Sequence, residues 1–73
     1  MDDLIVSDPD ILGGTPVFKG TRVPLAILFE NLKDNLTLAE IIKDYPTLSR
    51  DQAVRALREA QRYLVAAARR VTR

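Results

Sequence analysis

Two short runs constrain this chain more than anything else in it: "LTLAE" at residues 36–40 and "LSRDQ" at residues 48–52. Both have the form Leu-[Thr/Ser]-x-x-[Glu/Gln]. In this capping-box pattern a hydroxyl accepts from the backbone N–H three residues on, and the acid or amide reaches back to the cap residue's own N–H. Leu36 and Leu48 stand one residue before each cap, where they can staple onto Ile41 and Ala53. Two helix starts therefore lie 12 residues apart. Pro46 disfavours helix at the residue before it, so the first of these helices is predicted over 38–44, with "YPTLS" as the turn. The next opens at Arg50 and meets neither Gly nor Pro afterwards, which predicts a long helix over 50–70.

A further helix is expected upstream, over 24–34. Pro24 suits its first position. Leu25, Leu28, Phe29 and Leu32 follow the i, i+3, i+4, i+7 spacing of a core-facing stripe, and Asn35 fits a left-handed cap. Before it, "GGTPVFKGTRVP" (13–24) holds all three glycines. Val17, Phe18, Thr21 and Val23 are β-formers on either side of Lys19-Gly20. This predicts a β-hairpin within 11–23, closed by a two-residue turn and bounded by Gly13-Gly14, Pro16 and Pro24. The expected fold is one domain over 1–73: mainly α, a short N-terminal β-hairpin followed by a three-helix helix-turn-helix bundle, its last helix long.

A chain of 73 residues buries only about 60% of its unfolded surface, so its core is marginal. Cysteine and histidine are both absent, which removes disulfides and leaves no obvious metal or cofactor site. Oligomerisation remains as support. A lone two-stranded hairpin is weak and has open edges. Gly14, Pro16, Val17, Phe18, Gly20, Thr21, Arg22 and Val23 are therefore expected to form the meeting surface of a homodimer. The alternative is a hairpin folded back on its own helices.

Catalysis is not expected. The commonest general base and the strongest nucleophile are missing, Ser7 has no base beside it in sequence, and Ser49 is already explained as a cap. Asp8 and Asp10 flank Pro9 in what reads as an Asx turn. Lys19-Gly20-Thr21 has the lysine before its glycine and no helix opening there, unlike a phosphate-binding loop. The acidic "MDDLIVSDPD" is not a signal peptide, and "YLVAAA" is too short to span a bilayer. A cytoplasmic protein without membrane attachment is expected.

Charge is unevenly placed. Residues 1–10 carry four Asp and no base, whereas 50–73 carry seven Arg against Asp51 and Glu59. At about 100° per residue, Ala53, Leu57, Ala60, Leu64, Ala67 and Val71 share one face of the long helix, read as core. Arg55, Arg58, Arg62, Arg69 and Arg73 share nearly the opposite face. If the last helix is the reading helix of a helix-turn-helix, Thr47, Ser49, Arg50, Gln52 and Arg55 stand near DNA bases or backbone, with Arg58 and Arg62 extending phosphate contact. The same stripe also fits a helix that binds only protein, or a solvated face. The residues leave these open.

With these elements laid out, "SDPDILGGTPVFKGTRVPLAILFENL" and "TLAEIIKDYPTLSRDQAVRALREA" resemble the small prokaryotic domain-of-unknown-function family 433 (DUF433), an antitoxin-like family. The specific run is Gly14, Pro16, Gly20, Thr21, Arg22 and Pro24, then Tyr45-Pro46 and Leu48. The resemblance implies a homeodomain-like helix-turn-helix fold. It also implies an antitoxin that neutralises a PIN-like ribonuclease toxin and represses the shared operon by binding double-stranded DNA. The alternative is a module that binds only its partner protein. Arg22 matches the run, and its neighbourhood suggests pairing with Asp8 or Asp10; a solvated arginine is equally open. Residues after about 64 lie beyond the family pattern. Antitoxins commonly lay such a segment into the toxin's active-site groove, so Arg69, Arg70 and Arg73 are the expected toxin-binding residues, set among the acidic metal ligands of the nuclease.

Overall fold

A computed structural model of the protein describes residues 3–71. The chain runs through strand β1 (Ile5–Val6), a 3-10 turn (Leu12–Gly14), strand β2 (Val17–Phe18) and helices α1 (Leu25–Lys33), α2 (Leu38–Asp44) and α3 (Arg50–Val71). It is mainly helical, with a short N-terminal two-stranded hairpin and a long last helix, as the sequence predicts.

Both capping boxes form. Thr37 Oγ1 accepts from the Glu40 N–H at 3.1 Å, and Glu40 Oε1 accepts from the Thr37 N–H at 2.8 Å. Ser49 and Gln52 repeat the exchange at 3.0 and 3.1 Å. The stapling residues Leu36 and Leu48 both pack on the core, Leu48 fully buried. Asn35 takes φ +70° after α1. The Leu36 N–H reaches Asn31 O and the Asn35 N–H reaches Leu32 O, both at 3.0 Å, which is a Schellman closure.

The hairpin's strands are not the expected pair. β2 pairs antiparallel with β1, Ile5 opposite Phe18 and Val6 opposite Val17, and its other edge faces the segment that follows the Lys19-Gly20 turn. The expected Lys19-Gly20 turn does form. Its Thr21 N–H donates to Phe18 O at 3.0 Å, and of its two central residues only Gly20 has positive φ (+79°). That is the type II pattern, whose twist suits a tight reversal better than a long two-stranded ladder. Thr21 Oγ1 then donates to Phe18 O and accepts from the Val23 N–H. Beyond the turn the Phe18 N–H donates to Val23 O and the Leu25 N–H to Pro16 O, both at 3.0 Å, around a bridge from Val17 to Pro24 too short to count as a strand pair. The longer β1–β2 connection contains an Asx turn, Asp10 N–H to Asp8 Oδ1 at 2.9 Å, and the Ser7 hydroxyl donates to Gly14 O.

Leu4, Phe18, Val23, Leu28, Ile41, Leu48, Ala53 and Ala56 form one buried cluster drawn from every part of the fold. This corrects two expectations. Val17 and Phe18 are wholly buried and Val23 nearly so. The apolar side chains expected at a hairpin-mediated dimer surface are therefore inside their own chain, leaving Pro16, Gly20 and Arg22 exposed and Gly14 and Thr21 half-buried. The second correction concerns the long stripe of α3. Ala53 is buried and Leu57 and Ala60 are half-buried, but every residue from 61 to 71 is exposed, Leu64 at 71% and Val71 at 75%. The body covers only the first half of α3. Periodicity is the same in both halves; only the cover differs. The first-helix stripe is also turned slightly: Leu28 is buried, whereas Phe29 stands at the rim, 37% exposed.

Candidate functional site

The N-terminal turns of α3, where base-reading residues were expected, are largely engaged within the chain. Ser49 is tied into its capping box. Gln52 reaches back to the Ser49 N–H and also donates from Nε2 to Lys19 O at 2.9 Å, joining α3 to the hairpin turn. Arg55 Nη2 pairs with Asp3 Oδ2 at 2.8 Å. The hydrogen bond and charge of Arg55 hold the Asp3 carboxyl below its ordinary value, and Asp3 in turn raises Arg55. Thr47 and Arg50 remain exposed. So three of the expected DNA-reading side chains, Ser49, Gln52 and Arg55, have partners within the chain, while Ser49 keeps an exposed position beside the exposed Thr47 and Arg50.

Beside that end lies a concavity of about 540 Å³ between the hairpin turn and the α2–α3 turn. Thr21, Arg22, Pro24, Tyr45 and Thr47 are among its lining residues. Two separate parts of the motif run thus meet at one place. Among the described residues no ion pair joins Arg22 to Asp8 or Asp10; Asp8 instead closes its own Asx turn.

The remaining arginines lie farther along α3. At about 100° per residue, Arg58, Arg62 and Arg69 fall within roughly 40° of one another. With Gln61, Val65 and Ala66 they line one continuous surface. Arg62 Nη1 touches Glu59 Oε2 at 3.3 Å, an i,i+3 contact with the arginine mostly exposed. Arg70 is exposed about a quarter turn away, on the Tyr63 side. Arg73 lies outside the described residues. The structure therefore unites Arg69 with Arg58 and Arg62, residues that sequence reasoning had divided between toxin and DNA.

A small apolar cleft of about 110 Å³ lies where α3 leaves the body, lined by Leu4, Ile5, Leu25, Phe29, Ala60 and Tyr63 among others. Sequence reasoning missed it, because Phe29 and Tyr63 belong to different helices and nothing local says that they meet.

Among the described residues no helix is long and apolar enough to cross a membrane. In comparisons with known proteins, residues 5–60 match the family described as "Protein of unknown function (DUF433)". A relative, "Uncharacterized protein y4eO" of Sinorhizobium fredii (strain NBRC 101917 / NGR234), is 34% identical over 50 residues, 68% of this chain and 23% of the relative. The chain thus spans about a quarter of that protein's length. No solved structure matches.

Proposed function

From the premise that the chain belongs to the DUF433 family, whose match ends at residue 60 while α3 runs on to Val71, we propose an antitoxin-like function carried by the second half of α3. In this reading the body is the family scaffold. Residues 61–71, with Arg58 at their root, bind and neutralise an acidic partner protein of the PIN-like ribonuclease class.

The observation that carries the proposal is the exposure of this segment along its whole length, with Arg58, Arg62 and Arg69 on one strip. Guanidinium groups suit such a partner because their planar forks pair bidentately with carboxylates. A nuclease that holds its metal with clustered Asp and Glu presents those groups. An arginine strip laid across them competes for the carboxylates and covers the groove. Arg70 flanks the strip and extends the contact.

Co-expression with a candidate PIN-like ribonuclease tests the proposal. The parent protein is expected to form a stable complex and restore growth. Arg58→Glu, Arg62→Glu and Arg69→Glu together are expected to abolish both while the thermal midpoint stays near the parent's. Full neutralisation by the triple variant would overturn the reading.

A second reading, autorepression through DNA, is favoured by one observation: Thr47 and Arg50 are exposed at the start of α3, with Arg22 across the adjoining concavity. Arg50 and Arg22 would contact phosphates, so binding would weaken steeply with salt. A mobility-shift titration on the gene's own promoter at two salt concentrations tests it; an absence of sequence-specific shift, with and without the partner protein, excludes it.

A further inference from the structure

The face of α3 opposite the arginine strip repeats with a different period from an ordinary surface helix. Ala53, Leu57, Ala60, Leu64, Ala67 and Val71 are spaced 4, 3, 4, 3 and 4 residues apart. This is a strict heptad seam, with branched residues at one core position (Leu57, Leu64, Val71) and alanine at the other (Ala53, Ala60, Ala67). A sustained seven-residue repeat keeps its seam facing a second helix. Within the body the first half of the seam is covered, Ala53 fully and Leu57 and Ala60 in part. Its second half, from Leu64 to Val71, continues uncovered for about two turns.

We infer that this uncovered seam is a docking surface for a second copy of the same chain, with the two α3 helices running antiparallel through residues 60–71. Three observations point to this occupant.

The first is size. In an antiparallel pair each branched position faces the other copy's alanine position, so Leu64 meets Ala67 and Val71 meets Ala60. Large against small fills the space, and the alanines let the helices approach to the close end of the usual 8–10 Å range. A parallel pair would set alanine against alanine and leave voids.

The second is steric. The body lies on the seam side of α3 over residues 53–60. A parallel second helix would run into it. An antiparallel one points its own body away and brings its Val71 to Ala60 at the edge of the cleft lined by Leu25, Phe29 and Tyr63.

The third is charge. Arg55, Arg62 and Arg69 all occupy the heptad position farthest from the seam. Pairing therefore brings none of them together, and it leaves the arginine strip of each copy facing outward. The one basic residue flanking the uncovered seam is Arg70. It falls across from Tyr63 of the second copy, where a cation–π contact is available. The overlap is short, so the dimer belongs with small, weak interfaces.

The inference does not depend on the arginine strip, and the two separate experimentally. Sedimentation velocity from low micromolar to several hundred micromolar protein is expected to show a monomer–dimer equilibrium. Leu64→Glu, at an exposed site where folding is undisturbed, is expected to stay monomeric with unchanged far-ultraviolet dichroism. Arg62→Glu with Arg69→Glu is expected to dimerise like the parent. Because the chain has no cysteine, orientation can be read by disulfide trapping. Leu64→Cys mixed with Ala67→Cys is expected to give the cross-linked heterodimer in preference to either homodimer. A parent that is monomeric throughout, a dimeric Leu64→Glu variant, homodimer cross-links that dominate, or no cross-link at all would each overturn the inference.

Discussion

Leu28 and Leu64 look alike in the sequence, each sitting in a well-spaced apolar stripe, and the fold predicts very different consequences for truncating them. Leu28 is fully buried between the hairpin and the other helices. Replacing a buried leucine by alanine costs ~2–5 kcal/mol through lost transfer energy and the cavity left behind. At ~0.05–0.15 kcal/mol per residue, a chain of 73 residues has about 4–11 kcal/mol in total. Leu28→Ala, at about 3 kcal/mol, thus removes roughly a third or more of it. At about 4–8 °C per kcal/mol the midpoint falls by about 12–24 °C. Leu64 is 71% exposed, so truncation removes little buried area, and alanine is at least as good a helix former. The expected cost is under about 0.5 kcal/mol. Both variants are to be melted by circular dichroism, with parallel urea titrations, at concentrations where sedimentation shows monomer. A Leu64→Ala cost above about 1.5 kcal/mol under those conditions would refute the reasoning, because it would mean that the chain itself covers the second half of α3.

Three further outcomes are expected. Gln52→Ala removes both the back-bond of a capping box and the tether to Lys19 O, so it should cost about 1–2 kcal/mol in urea unfolding; Glu40→Ala, which removes only a back-bond, should cost about half as much. Leu12 sits at φ +49°, a left-handed conformation unfavourable to a large side chain, and is half exposed. Leu12→Asn should therefore stabilise the protein by about 0.5–1 kcal/mol, read as a raised midpoint. Asp3 has its carboxyl held below the ordinary value by Arg55. Its contribution is present above the unfolded value near pH ~4 and is lost as pH falls through the lower folded value. The stability gap between the parent and Asp3→Asn should accordingly be level at neutral pH and close on acidification below about pH 4; a gap that widens there would contradict the pairing.

What the sequence made legible was what is decided locally. The capping boxes at Thr37 and Ser49 and the Schellman closure at Asn35 involve residues within a turn of each other, so their chemistry can be read from adjacency. The β1–β2 pairing could not be read this way. Two-residue strands have no alternation to detect, and Ile5 and Phe18 are brought together across a connection with no hairpin-turn signature. The candidate site was legible in part. Periodicity separated the arginine face of α3 from its apolar face, but it reports amphipathicity and not what covers a face. The stripe therefore read as core throughout, although the body ends near Ala60. The engagement of Arg55 by Asp3 spans 52 residues, and that of Gln52 by Lys19 spans 33; no local pattern announces either. They turn two expected DNA-reading residues into parts of the scaffold and move the weight of the functional reading along the helix.

The central claim is that the second half of α3 is where this protein meets its partner. Hydrogen exchange of the protein alone and in complex with the proposed PIN-like ribonuclease partner reads this directly. In the free protein, amides of residues 61–71 should exchange faster than those of 50–60, since only the latter are packed on the body. On complex formation, protection should rise across 61–71 and stay level in the hairpin and at Thr47–Gln52. Protection that appears at Thr47–Gln52 or in the hairpin, with residues 61–71 unchanged, would contradict the account.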